Sequence, residues 1–212
     1  MASHINEKRE KKIAIINSIW SSVYMFLTLF ALYYTKKLYD VGTATCLPLI
    51  ALLAIGEFLK SMMRHFITDH SSVRERSKTK KFNLYILFGA PFLTAHEQTF
   101  MFSLLLTVLT TVPACIQLGA DNAISLLIDL TSFDEDVITE SLRVNICGTL
   151  FGAWMGAILI PLDWDRPWQV WPIPCSIGSM IGYIISNVFV IAKFSPKFEK
   201  VLIKKSSGKY GL

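Results

Sequence analysis

The chain alternates between long runs of apolar residues and short segments that carry most of the charges. The apolar runs cover residues 13–35, 41–59, 82–95, 98–119, 143–162 and 169–192. An α-helix rises 1.5 Å per residue, so about twenty apolar residues cross a ~30 Å hydrocarbon core. The pattern therefore predicts an all-α, polytopic membrane protein with about six transmembrane helices, forming a single integral membrane domain over residues 1–212.

The third of these runs is the shortest. Residues 82–95 would reach only about 21 Å as a helix, and Pro91 and the triplet His96-Glu97-Gln98 predict a break before the next run. We therefore predict that this third segment is short or re-entrant. Between the fourth and fifth runs, residues 122–130 have the spacing of an amphipathic helix, which predicts a short helix on the surface.

The second run contains one acid, Glu57, near its end. An ionisable residue inside a membrane is often functional. Lys60 and Arg64 follow closely, however, and a carboxylate at the membrane interface beside a cation is the simpler arrangement. We favour the interfacial carboxylate with a cationic neighbour, and the functional acid stays the alternative.

The composition supports a membrane protein. Hydrophobic residues make up 52% and charged residues 17% of the chain, and the mean hydropathy is +0.45. The net charge is +5, but the basic residues flank apolar runs, so we expect them at a membrane surface and predict no nucleic-acid binding. The four cysteines lie in apolar runs without paired or metal-like spacing, so we expect small buried hydrophobes and predict no metal and no cofactor.

The distribution of basic residues predicts the orientation. With six crossings, 18 of the 21 lysines and arginines fall on the side of the two termini, and Lys36, Lys37 and Arg166 fall on the other side. Cytoplasmic segments of membrane proteins carry the excess of Lys and Arg. We therefore predict that both termini are cytoplasmic.

Small residues recur every four positions in the last two runs. The residues are Gly148, Gly152 and Gly156 in the first run and Gly178, Gly182 and Ser186 in the second. This spacing gives a flat stripe on one helix face, where the backbone of a neighbouring helix can approach closely. The sequence therefore predicts helix packing, or contact with a partner, at these positions.

A polar, aromatic turn joins these two runs. Its candidate site residues are Asp163, Trp164, Asp165, Arg166, Pro167, Trp168 and Trp171. The tryptophans are typical of an aromatic belt at the headgroups. The two aspartates could form an acid–base or metal pair, but Arg166 beside Asp165 offers an ion pair, so we favour a structural turn. Because no nucleophile elbow, P-loop or His-Glu-x-x-His pattern occurs, we predict no catalytic residue.

Four motifs carry a resemblance to a known family. They are Phe88-Gly-Ala-Pro, Thr110-Thr-Val-Pro, Gly152-Ala-Trp-Met-Gly-Ala and the run Ile160-Pro-Leu-Asp-Trp-Asp-Arg-Pro-Trp-Gln-Val-Trp-Pro-Ile. Together they resemble the PIG-F family of glycosylphosphatidylinositol (GPI) anchor biosynthesis. The resemblance implies a multi-pass protein of the endoplasmic reticulum membrane, with the polar turn on the lumenal side.

The resemblance also implies a function. Members of this family act as non-catalytic subunits that stabilise and position an ethanolamine-phosphate transferase of the PIG-O or PIG-G type. The glycine stripes would then pack against transmembrane helices of the transferase, with membrane lipid, GPI intermediates included, as a further partner. The alternative is an independent lipid-headgroup enzyme or flippase that uses the lumenal Asp/Arg turn.

The sequence departs from the family at one acidic position. The family has Glu directly before Thr-Phe, whereas Gln98 holds that place in this chain and Glu97 lies one residue earlier. One residue rotates a side chain by about 100° around a helix. We therefore predict that Glu97→Gln is tolerated.

Overall fold

The computed structural model describes residues 2–67, 96–128, 130, 136–162 and 166–195, and within them the chain consists of helices and connecting turns. The α-helices are α1 (Ala2–Tyr34), α2 (Leu47–Ile67), α3 (His96–Leu109), α4 (Thr111–Leu118), α5 (Ala120–Ile128), α6 (Val137–Ile158) and α7 (Ile173–Phe194). Short 3-10 helices cover Lys37–Asp40, Ala44–Cys46 and Pro167–Gln169. The predicted all-α class is confirmed.

Within the described residues, four helical stretches are long and apolar enough to span a membrane. They are Glu7–Tyr34, Ala44–Met62, His96–Leu118 and Ile173–Phe194, and they overlap the predicted runs 13–35, 41–59, 98–119 and 169–192. The third stretch joins α3 and α4, which meet at Thr110. Pro113 has no N–H to donate to the carbonyl of Leu109, four residues back, and this missing hydrogen bond accounts for the interruption at Thr110. The predicted run 82–95 lies outside the described residues.

Helix α6 overlaps the predicted run 143–162 but is displaced toward the N-terminus. It begins at Val137 and ends at Ile158, so its first half carries Glu140, Arg143 and Asn145. Helix α6 is not among the four stretches above, and these polar side chains lie in its first half. Its 22 residues equal those of α7, which corresponds to about 33 Å of helix.

Helix α7 lies at the centre of the bundle. It packs antiparallel to α6 along most of its length, and α1 and α3 pack on its other sides. The largest hydrophobic cluster includes Met25 of α1, Leu53 of α2, Leu105 of α3 and Met180 of α7. The core therefore forms around α7.

The predicted amphipathic helix is present as α5, over residues Ala120–Ile128. Its buried residues Ala123 and Leu126 pack with Ala114 of α4 and with Leu142 and Ile146 of α6. The apolar face of α5 is thus covered by the bundle itself.

Three connections pack together at one end of the bundle, which we call the turn end. The Glu97 carboxylate accepts a 2.8 Å hydrogen bond from the backbone N–H of Ala44. The indole N–H of Trp171 donates to the Thr99 hydroxyl at 3.2 Å. The α1–α2 connection, the start of α3 and the α6–α7 connection therefore lie side by side.

The opposite end, where α1 begins and α7 finishes, is called the N-terminal end. There the Lys193 ammonium of α7 pairs with the Glu140 carboxylate of α6. Helix α2 runs antiparallel to α1, because Lys60 contacts Ser21 while the earlier Glu57 contacts the later Tyr24. Helix α2 therefore finishes at the N-terminal end, whereas α3 begins at the turn end.

Candidate functional site

The two predicted stripes of small residues face each other between α6 and α7. We call this contact the glycine seam, and it consists of Gly148, Gly152 and Gly156 on α6 and Gly178, Gly182 and Ser186 on α7. A Cβ atom on Gly152 would lie 3.0 Å from the Cα of Gly182 and closer still to the carbonyl oxygen of Gly178. Backbone therefore touches backbone, and only residues without a bulky side chain fit.

The glycine seam is an internal contact of this chain. Each stripe is covered by the other. The expectation that the stripes pack against helices of a partner is therefore wrong, and the packing is between two helices of the same chain. Close backbone approach gains van der Waals contact that lipid would not supply. A hydrogen bond from the Asn145 side-chain N–H to the side-chain oxygen of Asn187, 3.2 Å long, extends the same contact toward the N-terminal end.

The turn that follows α6 is braced by one buried amide. The side-chain N–H groups of Gln169 donate to the carbonyls of Leu159, at 3.0 Å, and of Leu162, at 2.5 Å. Its carbonyl oxygen accepts from the backbone N–H of Arg166 at 3.0 Å. Gln169 is only 8% exposed, so it fixes the path of the chain between α6 and α7. The sequence interpretation did not single out this residue.

The tryptophan nearest α7 anchors the turn to α3. Trp171 is half-buried, and its ring meets the Phe102 ring edge-on with the centroids 5.4 Å apart. Together with the Thr99 hydrogen bond, this contact places Trp171 against the protein. The aromatic belt stays a prediction, and the structure adds a protein partner for the Trp171 N–H.

The other predicted turn residues divide into two groups. Arg166 and Pro167 are exposed and Trp168 is half-buried. Asp163, Trp164 and Asp165, and with them the expected Asp165–Arg166 pair, lie outside the described residues. The described part of the turn is a braced connection between α6 and α7.

Polar side chains also meet inside the bundle, where α1, α2 and α7 converge. The Glu57 carboxylate, 1% exposed, accepts hydrogen bonds from the hydroxyls of Tyr24 and Tyr183, the latter at 2.7 Å. The Lys60 ammonium lies 2.5 Å from the second Glu57 oxygen and donates to the Ser21 hydroxyl at 2.9 Å. We call these five residues the tyrosine–glutamate network.

The network lies near the middle of the membrane-spanning region. Tyr24, Glu57 and Tyr183 are each ten residues from the turn-end terminus of their helix. Ten residues of helix correspond to ~15 Å, about half of a ~30 Å hydrocarbon core. The three helices therefore bring their polar groups to one depth.

The structure changes the interpretation of Glu57. The cationic neighbour is confirmed, since Lys60 forms the ion pair, whereas the interfacial position is wrong because the carboxylate is buried between three helices. The Arg64 side chain lies outside the described residues. Tyr24 and Tyr183 could have been noticed in the sequence, because each hydroxyl within an apolar run needs a hydrogen-bond partner when buried.

Glu97 has a local role at the turn end. It is exposed, and its carboxylate binds the backbone N–H of Ala44 where the 3-10 turn Ala44–Cys46 leads into α2. A negative charge is favourable at the start of a helix. The structure thus gives Glu97 an intramolecular partner.

Comparison with known proteins identifies relatives of this architecture. The family model described as GPI biosynthesis protein family Pig-F matches residues 13–191. A Homo sapiens protein named GPI ethanolamine phosphate transferase, stabilizing subunit, is 39% identical over 105 residues, which are 50% of this chain and 48% of that protein.

Fungal proteins named glycosylphosphatidylinositol anchor biosynthesis protein 11 are also similar. The Pyricularia oryzae protein is 44% identical over 105 residues, covering 49% of this chain and 38% of that protein. The Neurospora crassa protein is 34% identical over 155 residues, covering 72% and 48% respectively. In these comparisons the chain spans about half the length, or less, of the curated relatives it matches.

No solved structure matches this chain. The family match includes the glycine seam, the braced turn and the tyrosine–glutamate network, all of which lie within residues 13–191. By that match the chain belongs to the PIG-F family of GPI biosynthesis proteins.

Proposed function

We propose that this chain is a non-catalytic membrane subunit that stabilises and positions a GPI ethanolamine-phosphate transferase. The observation that carries the proposal is the family match over residues 13–191, together with relatives whose name describes a stabilizing subunit of that transferase. The proposed catalytic partner is of the PIG-O or PIG-G type. This chain contributes no catalytic residue and needs no cofactor in this proposal.

The proposed location is the endoplasmic reticulum membrane, with six crossings and both termini cytoplasmic. Two observations support it. Without Lys60, which is buried in the ion pair with Glu57, the positive-inside distribution still assigns 17 basic residues to the side of the termini and three to the other side. Helix α2 finishes at the N-terminal end and α3 begins at the turn end, which supports the proposal of one further crossing between them and six in total.

The contact with the transferase is proposed to use the outer surface of the bundle. The glycine seam is already occupied, so it offers nothing to a partner. Large apolar side chains point outward on α1 and α2, among them Phe26, Phe30 and Phe58, which are 57–65% exposed. Partner helices and membrane lipid, GPI intermediates included, would share these faces.

The turn is proposed as a second docking element, on the lumenal side. Its support is the brace by Gln169, which holds the exposed Arg166 and the half-buried Trp168 on a fixed backbone. A rigid loop that presents an aromatic ring and a cation loses little conformational entropy on binding. The role proposed for the turn is therefore recognition of the transferase.

The rival function, an independent headgroup enzyme or flippase, has less support. It needs polar groups that converge on a lumenal cavity. Among the described residues, Glu97 binds the Ala44 backbone, and the polar groups that do converge lie at mid-depth in the tyrosine–glutamate network. Glu57 there is engaged by Lys60 and the two tyrosines.

The test uses cells that lack their own PIG-F family protein and express this chain with a tagged transferase. Transferase abundance and GPI-anchored protein at the cell surface are both measured. We expect Trp168→Ala and Arg166→Glu to lower transferase abundance while this chain keeps its own level. Asp163→Asn and Asp165→Asn are the matched controls in the same turn, and we expect mild effects from them.

Two outcomes would contradict the proposal. Asp163→Asn protein at full level, bound to transferase but without ethanolamine-phosphate transfer, would place chemistry in this chain. Loss of transfer at unchanged transferase abundance in the cells without this chain would show that the chain does not stabilise the enzyme.

A further inference from the structure

A small cavity lies next to the tyrosine–glutamate network, on the side of the N-terminal end. Helices α1, α2, α4, α6 and α7 all contribute to its wall. Its polar lining residues are Asn17, Ser18, Ser21, Lys60, Gln117, Ser141, Asn145 and Asn187, and its apolar ones are Ala14, Pro113, Ile138 and Leu142. Most of the lining residues are therefore polar, although the surrounding helices are apolar. We call it the polar cavity.

The depth of the polar cavity is consistent across the helices that form it. Lys60 lies 13 residues, Asn187 14 residues and Asn17 17 residues from the turn-end terminus of its helix. These separations correspond to about 20–25 Å, within a hydrocarbon core of ~30 Å. Lipid at this depth offers no hydrogen bonds, so polar groups must find partners within the bundle.

One polar atom in the wall lacks such a partner. The side-chain carbonyl oxygen of Asn145 is buried and accepts no hydrogen bond from any of the described residues. The Asn145 amide donates to Asn187, whose own amide donates to the Tyr183 backbone carbonyl at 2.8 Å. A buried acceptor without a donor is costly, because it loses the hydrogen bonds that water would supply. Asn145 lines the cavity, and its buried side-chain oxygen is an acceptor that a small donor would satisfy.

The cavity matches a water molecule in size and chemistry. Its volume is about 20 Å³. A cavity needs roughly 10–15 Å³ and 2–4 polar partners to hold one water molecule, so this cavity is large enough. A lipid headgroup or a phosphate ion would not fit this volume. Amides, hydroxyls and the Lys60 ammonium supply both donors and acceptors.

We propose that the polar cavity is an internal water site, in which an ordered water donates to the Asn145 carbonyl oxygen and contacts the Lys60 end of the Glu57–Lys60 pair. The water links α6 to the network formed by α1, α2 and α7. It also gives the buried ion pair a hydrated side, which lowers the cost of removing two charges from bulk water. This inference does not depend on the proposed function.

The test is a water-edited solid-state NMR measurement on the full chain in lipid bilayers, with asparagine and isoleucine labelled. We expect magnetisation from water to reach the side chains of Asn145 and Asn187. Ile185 is the matched control, because it is two residues from Asn187 on α7 but 63% exposed on the outer, lipid-facing surface. We expect the Ile185 signal to stay weak at the same mixing time.

A pair of variants locates the water. Ser141→Leu fills the cavity, so we expect loss of the water signal at Asn145 and Asn187. Cys147→Leu adds bulk to the same helix at an exposed position, so we expect the signal to be retained. Persistence of the signal in Ser141→Leu would overturn the proposal.

The wild-type measurement decides the question even when Ser141→Leu does not fold. Asn145 and Asn187 side chains that receive water magnetisation no faster than Ile185 would show that the cavity is dry. That result would overturn the proposal without any variant.

Discussion

Helix α7 is held by two contacts of opposite chemistry. At the glycine seam, α7 packs against α6 through small residues and backbone atoms. The tyrosine–glutamate network ties α7 to α1 and α2 through one acid, one amine and three hydroxyls. The first contact depends on the absence of side chains, and the second depends on particular side chains at one depth.

The difference shows how a membrane bundle can combine close helix packing with a defined set of side-chain partners between helices. Lipid is as apolar as the helix surfaces, so burial alone does not drive helices together, and close packing or polar contacts must do so. The seam supplies packing along several turns of helix. The network supplies a fixed set of partners, which sets the register of α1 and α2 on α7. Substitutions in the two regions should therefore fail in different ways.

The largest effect is expected for Glu57→Gln, which leaves Lys60 buried without its counter-ion. Removal of one partner of a buried ion pair costs about 3–5 kcal/mol. The matched control is Glu140→Gln, in the α6–α7 pair whose side chains are 31–38% exposed, for which we expect at most about 1 kcal/mol. The measurement is the midpoint of unfolding by SDS of each purified protein. Equal midpoints for the two variants would refute this distinction.

A double variant sharpens the same prediction. In Glu57→Leu/Lys60→Met both charges are replaced by apolar groups, and such replacements are often neutral or stabilising. We expect the double variant to unfold at a higher SDS concentration than Glu57→Gln alone. A double variant that is less stable than the single one would mean that the hydroxyls of Tyr24, Tyr183 and Ser21, left without their partners, cost more than the unpaired charge.

The next effect is expected for Gly152→Ala at the seam. The added Cβ would overlap the backbone of α7, and overpacking typically costs about 1–3 kcal/mol. Gly56→Ala is the control, because its Cβ would lie 3.9 Å from the Tyr24 ring, an ordinary contact. Alanine favours a helix interior over glycine by about 0.5–1 kcal/mol, so Gly56→Ala should be neutral or stabilising in the same unfolding assay. A stable Gly152→Ala protein would disprove the close approach of α6 and α7.

A smaller loss is expected for Thr99→Val at the turn end. This substitution keeps the shape of the side chain and removes the hydroxyl that accepts from Trp171, and an ordinary hydrogen bond contributes about 0.5–1.5 kcal/mol. Thr107→Val is the control, because the exposed Thr107 hydroxyl donates to a carbonyl of its own helix, at 2.8 Å. Tryptophan fluorescence during thermal unfolding reports the difference. Identical melting of both variants would show that Trp171 does not depend on Thr99.

The smallest effect is expected for Glu97→Gln. The amide oxygen can still accept from the Ala44 N–H, and only the interaction of the charge with the helix start is lost, about 0.3–1 kcal/mol at such sites. The readout is surface GPI-anchored protein in cells that depend on this chain. Loss of that protein at normal levels of the variant would assign Glu97 a role in handling a proton or a headgroup.

The sequence by itself predicted the elements and the family. Apolar runs of about twenty residues predict helices, because that length matches the membrane and every backbone group must be satisfied within its own segment. The four-residue spacing of Gly148, Gly152 and Gly156 likewise predicts a flat helix face. These are local properties, set by the 3.6 residues of each helical turn. The motif from Ile160 to Ile173 indicated the family, and the match over residues 13–191 confirms it.

Only the tertiary structure decided what each face touches. The spacing of glycines predicts close packing but does not name the backbone that approaches, and here it belongs to α7 of the same chain. Likewise the sequence placed Lys60 near Glu57, whereas Tyr24 and Tyr183 are 33 and 126 residues away from Glu57. Helix periodicity acts over a few residues, and contacts between distant helices depend on how the whole bundle packs, so the burial of Glu57 follows from the fold alone.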